Sequence, residues 1–536
     1  MKKVQCIFVA LLFVTATNTI YSQFTQQWIR RYTDTSSVNV TGLRIKTDSL
    51  GYIYVLTGGN NDYGFLKYNS NGTLLVRASN SLSGYSIAPQ AFYVTSNGDV
   101  YITGNAGINF DQWMYTVKFN SSGVLQWNKL YNPDNDDGGT DIKIDKLGNV
   151  IVVGGAQRGS SGFGLIVKYN SVGDTIWTRS FNNGQNSASY QNSVIDDSNN
   201  IYITGNLGIP GVGMTLKYSP AGSLIWFATH TFDASGSNIG HGIILDLTRN
   251  IYVSGTQVSQ PFNNIRDYLL KINNTGTVQW SKRSTLISNG GYMTGPVVST
   301  DGGSIYYATM ALNDTGVLYS ITTLKYNSVG DSQWVKKFDG GVSGSSNFIG
   351  NIYLDKFNNI YTCGGANFPT TGNDFTTIKY LATGIQQWVA TYSGEFTTSG
   401  DLAKDLYIDT SLNVYVTGNC PNLHSATDAV TIKYSQPVGI ISNNNQLPQN
   451  YKLNQNYPNP FNSSTIITYQ LPIKSDIKLK IYNGVGQLVK TLVSTMQNVG
   501  YYSIAFNAEN LSSGVYFYSM TSNNATIETR KLILIK

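Results

Sequence analysis

The stretch "LKYNSVGDSQW" at residues 324–334 carries a lysine and a tyrosine before a polar turn, and a tryptophan after it. Near copies recur along residues 24–437 at intervals of about 50 residues, a period typical of propellers and related repeat folds. Val76 replaces the tryptophan in one copy. The aligned positions are Trp28, Val76, Trp127, Trp177, Trp226, Trp280, Trp334 and Trp388.

A second repeated element lies between these copies, for example "IYLDKFNNIYTCGG" from Ile352. Two short runs of β-forming residues surround a turn that contains Asp, Gly or Asn, which is the pattern of a β-hairpin. The lysine element has the same form, since "TTIKY" and "QQWVAT" flank the turn "LATG". Two hairpins per repeat predict one four-stranded antiparallel sheet per repeat.

The two ends of the repeat region complement each other. "QQWIRRY" at residues 26–32 is a tryptophan strand that no lysine strand precedes, and "TIKYSQP" at residues 431–437 is a lysine strand that no tryptophan strand follows. Joined, they complete one sheet and close a ring. We therefore predict an all-β fold in which residues 23–437 form an eight-bladed β-propeller of four-stranded blades closed by the N-terminal strand. A seven-bladed ring with one divergent repeat is the alternative.

The repeat region resembles the SBBP family of bacterial β-propeller repeats. The shared elements are Asp-x-x-Gly-Asn-x-Tyr-x-Thr-Gly and Lys-Tyr-Asn-x-x-Gly, and the resemblance covers nearly all of residues 24–437. It implies the propeller fold and no defined reaction. We expect the repeated tryptophans to pack between blades, because burying an indole removes about 200 Å² from water.

A lysine fills the same place in every repeat. We expect its stem to pack along the sheet with the ammonium near a local acceptor, for which Asp62, Asp374 and Asp428 are candidates. The alternative is a ring of eight charges that faces the central channel and attracts an anion. The lysines are Lys67, Lys118, Lys168, Lys217, Lys271, Lys325, Lys379 and Lys433.

A repeated aspartate opens the first hairpin turn, where its carboxylate is able to accept backbone N–H groups. Thr95 and Thr300 take its place in two copies, and threonine is a poor metal ligand, so a ring of calcium ions is not expected. The aspartates are Asp48, Asp145, Asp196, Asp246, Asp355 and Asp409.

One acidic segment outside the repeat pattern, "NPDNDDGGTD" at residues 132–141, is similar to a calcium loop. Its glycine comes one place late and no bidentate glutamate follows, so Asp134, Asp136 and Asp137 are weak metal candidates. We expect a solvated loop and no cofactor, with calcium as the alternative.

Motifs of enzymes are sparse. His230, His241 and His424 are the only histidines, and the chain contains neither a Gly-x-Ser-x-Gly elbow nor a phosphate-binding loop. Aspartates are common, so chemistry by a pair of carboxylates stays open. We assign no catalytic and no cofactor-binding residue.

Composition and charge limit the class of protein. Glutamate occurs only three times, which removes a helix-forming residue and favours an all-β chain. The net charge of +6 is spread without a basic run, so nucleic acid is not an expected partner. Cys363 and Cys420 are expected to be unpaired buried thiols, with a disulfide as the alternative.

The N-terminus reads as a secretory signal peptide over residues 1–22. Two lysines precede an apolar run at residues 7–14 that is too short to span a bilayer, and no other run is long enough. At the other end of the chain, residues 438–450 form a polar linker, and short β runs over residues 451–536 fit an immunoglobulin-like sandwich.

Residues 451–536 also resemble the type A C-terminal sorting domain of the type IX secretion system. The resemblance implies recognition by that secretion machinery at the outer membrane, after export through the periplasm. We expect a protein that is secreted or attached to the outer-membrane surface. The motif residues are Tyr457, Pro458, Asn459, Pro460, Phe461, Gly486, Gly514, Tyr516, Lys531 and Lys536.

The function expected for the propeller is binding without catalysis, with a glycan or another protein as the ligand of its loops or channel mouth. The alternative is a secreted polysaccharide-active enzyme with an acidic site in the channel. Clustered aspartates with raised pKa values at the channel mouth would favour the enzyme. An uncharged mouth lined by Tyr and Asn would favour binding.

Overall fold

The computed structural model consists of β-strands, turns and loops, and no helix occurs in the residues it describes. No described helix is therefore available as a membrane span. The chain separates into two compact units, one of which is residues 24–436 and the other of which contains residues 437–536. The described residues are 24–33, 39–59, 62–108, 111–132, 137–158, 160–185, 187–209, 211–232, 236–259, 264–295, 297–298, 303–312, 319–342, 347–394, 400–422, 426–436, 450–456, 459–462, 464–497, 500–508, 511–523 and 525–535.

The first part of the repeat unit contains seventeen strands among its described residues. They are β1 (Thr25–Tyr32), β2 (Thr41–Thr47), β3 (Ile53–Gly58), β4 (Asp62–Tyr68), β5 (Leu74–Ser81), β6 (Ser86–Val94), β7 (Val100–Ile108), β8 (Asp111–Phe119), β9 (Leu125–Tyr131), β10 (Gly138–Ile144), β11 (Val150–Arg158), β12 (Ser161–Tyr169), β13 (Thr175–Phe181), β14 (Ala188–Ile195), β15 (Ile201–Leu207), β16 (Val212–Tyr218) and β17 (Leu224–His230).

The second part of the repeat unit continues the same pattern through its described residues. Its strands are β18 (Ser237–Leu245), β19 (Ile251–Ser259), β20 (Asn264–Ile272), β21 (Val278–Arg283), β22 (Ser288–Met293), β23 (Val297–Val298), β24 (Ser304–Leu312), β25 (Tyr319–Asn327), β26 (Ser332–Phe338), β27 (Phe348–Leu354), β28 (Ile360–Phe368), β29 (Gly372–Tyr380), β30 (Gln386–Tyr392), β31 (Leu402–Ile408), β32 (Val414–Pro421) and β33 (Thr427–Ser435).

These strands form eight antiparallel sheets within the described residues, as expected for the blades of a propeller. Six sheets contain four consecutive strands, and one contains five because its first strand is divided into β22 and β23. The last sheet has the order β1-β33-β32-β31, so the N-terminal strand is its outermost strand. The expected pairing of the two ends of the repeat region is confirmed.

The first strand of each sheet contacts the first strand of the next, and β31 in the last sheet contacts β2 in the first. These strands therefore surround a common axis, and we call the space that they enclose the channel. A register shift interrupts each of their pairings with the second strand, for example between Gly139 and Asp141. Such a bulge turns the side chains that follow it to the opposite face.

Apolar side chains from adjacent sheets meet in separate cores. Between the sheets β2–β5 and β6–β9, for example, Phe65 packs against Phe119 with their ring centroids 5.6 Å apart. The second strands are almost fully buried on both faces, as in β3 (Ile53–Gly58).

Both Cys363 and Cys420 are buried free thiols, so the expectation of unpaired cysteines is confirmed.

The C-terminal unit contains two antiparallel sheets around one core in its described residues. Three strands pair in the order β34-β35-β38 and four in the order β37-β36-β39-β40. Ile467 of the first sheet and Ile481 of the second are both fully buried in that core. The strands are β34 (Lys452–Leu453), β35 (Ser464–Leu471), β36 (Ser475–Asn483), β37 (Leu488–Gln497), β38 (Gly500–Asn507), β39 (Gly514–Ser522) and β40 (Ala525–Leu534).

Candidate functional site

The repeated tryptophans join neighbouring sheets. Trp280 donates its indole N–H to the carbonyl of Ser328, which lies in the turn between the third and fourth strands of the next sheet, at 3.0 Å. Gly330 of that turn has a φ of 84°, and a Cβ on it would lie 2.9 Å from the indole. The same contact recurs from Trp28 to Gly72 and from Trp334 to Gly384. The prediction that these tryptophans pack between sheets is confirmed.

The repeated lysines bind the same turns, and not one another. In the sheet that carries Trp334, the ammonium of Lys325 lies 2.9 Å from the carbonyl of Ala382, which also accepts the indole N–H of Trp334 at 3.2 Å. The aromatic ring of Tyr306 lies beneath that ammonium, 5.5 Å away. The acceptors for the other lysines are Ser121 O for Lys67, Ser171 O for Lys118, Pro220 O for Lys168, Asn274 Oδ1 for Lys217, Ser328 O for Lys271, Gln436 Oε1 for Lys379 and Ser70 O for Lys433. Lys168 and Lys118 also form ion pairs within their own sheets, with Asp145 at 2.9 Å and Asp99 at 3.3 Å.

The expectation that each lysine packs along its sheet with its ammonium near an acceptor is borne out, whereas the alternative of a charged ring and the three candidate acceptors are wrong. The lysines lie on the third strand of each sheet, away from the channel, so they do not form a ring of charge around it. The proposed acceptors have other partners: Asp62 accepts from Arg77, Asp428 from Arg31 and Asn422, and Asp374 from Thr371. An oxygen of the next sheet replaces them, because the antiparallel register places each lysine opposite the tryptophan that reaches the same turn, or opposite Val76 in the case of Lys67.

The repeated aspartates stabilise their own turns, as expected. Asp355 Oδ1 accepts the backbone N–H groups of Phe357 and Asn359, and its Oδ2 accepts the hydroxyl of Tyr361 at 2.9 Å. Thr95 accepts the N–H of Asp99 in the same way, while Thr300 lies outside the described residues. The repeated polar residues are thus used by the fold, and candidate functional residues must be sought among those that do not repeat.

Of the three metal candidates in the acidic segment only Asp137 is described, since Asp134 and Asp136 lie outside the described part of the chain. Asp137 is fully buried, and its backbone N–H donates to the carbonyl of Gln112 at 2.7 Å. His230 and His241 are bonded to Tyr268 and Thr256, and His424 is outside the described residues. Within the described residues no group of three His, Cys, Asp or Glu side chains is arranged to hold a metal ion.

An open cleft of about 470 Å³ lies at the mouth of the channel, where the first strands begin. It is lined by carboxamides, glycines and small side chains from three consecutive sheets. Asn105 donates its amide to Oε1 of Gln112 at 2.8 Å, which fixes two of the lining carboxamides relative to each other. The lining residues are Gln90, Asn105, Gln112, Gly138, Gly139, Thr140, Gly155, Ala156, Gln157, Gly162 and Ala188.

The channel below the mouth has a cationic wall. Lys46, on the first strand β2, places its ammonium 5.2 Å from the ring centroid of Tyr407 and 5.9 Å from that of Tyr353. These tyrosines belong to the first strands of the two preceding sheets, β31 and β27, so the lysine lies along the wall that these strands form. Burial lowers the pKa of Lys46, the nearby carboxylate of Asp405 raises it, and the charges of Lys143 and Arg44 lower it.

Two channel aspartates connect neighbouring sheets. Asp405 Oδ2 accepts the backbone N–H of Ile45 at 2.9 Å, and its Oδ1 accepts the amide of Asn351 at 2.6 Å. Asp141 Oδ2 accepts both the backbone N–H and the hydroxyl of Ser193. Both carboxylates are therefore committed to interactions between sheets.

Carboxyls with raised pKa values occur away from the cleft. Burial raises the pKa of Asp267 to about 6, and burial with the nearby Asp374 raises that of Asp401. Each of these carboxyls is only 1% exposed, and Asp401 accepts the N–H of Gly394 at 2.6 Å. Neither provides the solvent-open pair of acids that the enzyme alternative requires.

The sorting-motif residues surround the last strand of the C-terminal unit. Asn459 Oδ1 accepts the backbone N–H of Ile533 at 2.8 Å, and Phe461, which follows Pro460, forms two backbone hydrogen bonds with the same strand. Tyr516 pairs with Leu532 and donates its hydroxyl to the carbonyl of Ser512. The other described motif residues also have structural roles. Gly486 takes a φ of 83° in the β36–β37 turn, and Gly514 pairs with Leu534. Lys531 is exposed, and its backbone carbonyl accepts the side-chain amide of Asn459. Tyr457, Pro458 and Lys536 lie outside the described residues.

Comparison with known families identifies this C-terminal unit. Residues 455–536 match the family model described as a secretion system C-terminal sorting domain. This domain marks proteins that the type IX secretion system exports. The protein is therefore secreted or attached to the cell surface.

Comparisons of the whole chain give distant similarities. A search of curated proteins finds no match. A solved polysaccharide lyase is 11% identical and aligns over 76% of this chain and 99% of its own, with a TM-score of 0.43. The periplasmic gluconolactonase of Pseudomonas aeruginosa is 11% identical over 68% and 98%, and an ulvan lyase is 12% identical over 65% and 92%, each with a TM-score of 0.41. TM-scores this low carry no argument about function, so the fold rests on the strand pairing of this chain.

Proposed function

We propose that the protein is an exported, non-catalytic glycan-binding scaffold. Residues 23–437 form a closed eight-bladed propeller of SBBP-type repeats, and residues 451–536 form an immunoglobulin-like sorting domain that directs export. The ring of contacts among the first strands and the pairing of β1 with β33 support the eight blades. The two sheets around one core support the sandwich. A signal peptide at residues 1–22 and a linker at residues 438–450 complete this organisation.

The observation that carries the proposal is the open cleft lined by carboxamides. Asn and Gln side chains offer donors and acceptors together, which suits the hydroxyl groups of a sugar. The open shape admits a chain that extends beyond the cleft. The engagement of the channel aspartates Asp141 and Asp405 with neighbouring sheets supports binding over acid-base chemistry in the channel.

The glycines of the cleft allow a direct test. A Cβ on Gly162 would lie 3.5 Å from its nearest neighbours, an ordinary contact, and this glycine does not have a positive φ. We expect Gly162→Leu to fill the cleft and reduce glycan binding at least tenfold while the thermal midpoint changes little. Gln126→Ala, which changes an exposed carboxamide on the outer strand β9, is the matched control.

The measurement combines a glycan array with a screen for released products, using the purified protein. Binding that Gly162→Leu abolishes and Gln126→Ala preserves supports the proposed scaffold. Release of saccharide products by the wild-type protein would contradict the non-catalytic function, and equal binding by all three proteins would exclude the cleft.

Export and cofactor use have separate tests. Deletion of residues 451–536 is expected to leave the protein in the periplasm, and normal surface display of that truncation would contradict the sorting assignment. We propose that binding needs no cofactor, so chelation by EDTA should leave it unchanged. A loss of binding that calcium restores would instead support a site at Asp134, Asp136 and Asp137.

A further inference from the structure

The channel holds more positive than negative charge. Arg44, Lys46, Lys143 and Lys404 belong to its first strands, whereas Asp141 and Asp405 are the aspartates on the same level. Burial and the neighbouring charge of Arg44 lower the pKa of Lys404. Cations this close to one another repel, and low-dielectric walls strengthen the resulting field.

Three of these cations have no carboxylate partner within salt-bridge distance in the described part of the chain. The ammonium of Lys143 binds Asp141 at 2.6 Å. Lys46 contacts two tyrosine faces, and Arg44 donates only to the adjacent carbonyl of Leu43 at 3.0 Å. Asp405 is beside these cations, but its oxygens accept N–H groups of Ile45, Asn351 and Leu406. Arg44, Lys46 and Lys404 thus face the single carboxylate of Asp405, which leaves net positive charge at the axis.

The cations lie on the first strands of two adjacent sheets. Lys404 occupies the bulge of β31, Arg44 follows the bulge of the adjacent strand β2, and Lys46 lies two residues further along it. Lys46 and Arg44 are on the same face of β2, because alternate residues share a face. Arg44 is exposed, and Lys46 and Lys404 are half-buried, so the cluster extends from solvent into the channel.

We propose that Arg44, Lys46 and Lys404 bind an oxyanion in the channel, the carboxylate or sulfate group of an acidic saccharide. Arginine and lysine are the side chains best suited to such groups, through charge-assisted hydrogen bonds. The choice of a saccharide rests on the proposed function, because Gln90 and Thr140 of the cleft lie on the first strands β6 and β10 of the same channel. The anion site itself rests on the charges alone.

The test compares three probes by isothermal titration calorimetry on the purified protein. A trimer of β-1,4-linked glucuronic acid is the acidic probe, cellotriose is its neutral counterpart, and sodium sulfate is the free oxyanion. We expect the acidic trimer to bind at least tenfold more tightly than cellotriose, and its affinity to fall as sodium chloride is added.

Variants localise the site. Lys46→Gln and Lys404→Gln are each expected to weaken the acidic trimer about tenfold, as the loss of one charged hydrogen bond would. Lys146→Gln is the control, because Lys146 is exposed and paired with Asp197 on a hairpin turn. Circular dichroism and thermal midpoints verify that each variant folds. If Lys46→Gln does not fold, the double variant Arg44→Gln/Lys404→Gln replaces it in the binding measurement.

The outcomes separate the two proposals. Measurable and equal affinity for the acidic trimer and cellotriose, unchanged in Lys46→Gln and Lys404→Gln, would overturn the anion site and leave the glycan scaffold intact. Sulfate binding that depends on Lys46 and Lys404, with no affinity for either trimer, would support the anion site and contradict the saccharide ligand. Equal losses in Lys146→Gln and the channel variants would show that net charge, not this site, is responsible.

Discussion

Trp28 in β1 lies opposite Lys433 in β33, so the beginning and the end of the repeat region form one antiparallel pair. Both side chains donate to the carbonyl of Ser70 in the following sheet, at 3.1 Å and 3.0 Å. The pair therefore repeats across the closure of the ring the contact that joins successive sheets elsewhere. Stability at this point depends on residues from the two ends of the unit.

Trp28→Ala is expected to lower the free energy of unfolding by about 3 kcal/mol, since it removes a buried indole and its hydrogen bond. Val76 occupies the same repeat position without an indole, and Val76→Ala should cost only about 1 kcal/mol. Urea denaturation of both variants checks the difference. Equal losses would contradict a special role for the indole.

The glycine beneath each indole provides a second test. Gly72 and Gly51 have nearly the same φ, 78° and 79°, but a Cβ on Gly72 would lie 2.7 Å from Trp28, whereas one on Gly51 would have no neighbour within 4 Å. Gly51→Ala should lower the free energy of unfolding by about 1 kcal/mol because of backbone strain alone. Gly72→Ala should cost about 1 to 3 kcal/mol more because of overpacking. A similar thermal shift in both variants would refute the contact.

His230 makes the free energy of unfolding depend on pH. Burial lowers its pKa to about 4, below the ordinary value of 6.5 in the unfolded chain. The unfolded state then binds the proton first as the pH falls from 6.5 to 4, so folded stability is lost across that window, by about 2 to 3 kcal/mol. In His230→Gln this contribution disappears. Urea denaturation of the wild type and of His230→Gln at about pH 7 and about pH 4.5 measures this contribution. An equal loss of stability in the two proteins between these pH values would disprove it.

Phe461 connects the sorting motif to the core of the C-terminal unit. It is 3% exposed, and Phe461→Ala is expected to destabilise that unit by about 3 to 5 kcal/mol. We expect less protein at the cell surface and more in the periplasm, as measured by fractionation. Val485 is 79% exposed, so Val485→Ala is the control and should leave surface delivery unchanged. Equal delivery of the two variants would count against the dependence on this core.

The sequence alone predicted the features that depend on neighbours along the chain. The hairpin pattern around "LKYNSVGDSQW" predicted four strands per repeat, and the unmatched strands at residues 26–32 and 431–437 predicted the pairing that closes the last sheet. The sequence also predicted that Asp355 stabilises its own turn and that Trp280 packs between sheets. Both predictions use local chemistry, since a residue that recurs in every repeat usually has a structural role.

The tertiary structure alone decided which charges meet at the axis. Arg44, Lys46 and Lys404 lie on strands from opposite ends of the repeat region, and only ring closure brings them together. The bulge in each first strand shifts its alternation by one residue, so the sequence does not reveal which side chains face the channel. The acceptors of the repeated lysines were missed for a related reason: most of them are backbone carbonyls of the next sheet, and every residue has a carbonyl. Local pattern thus determined the sheets, whereas long-range register determined the chemistry between them.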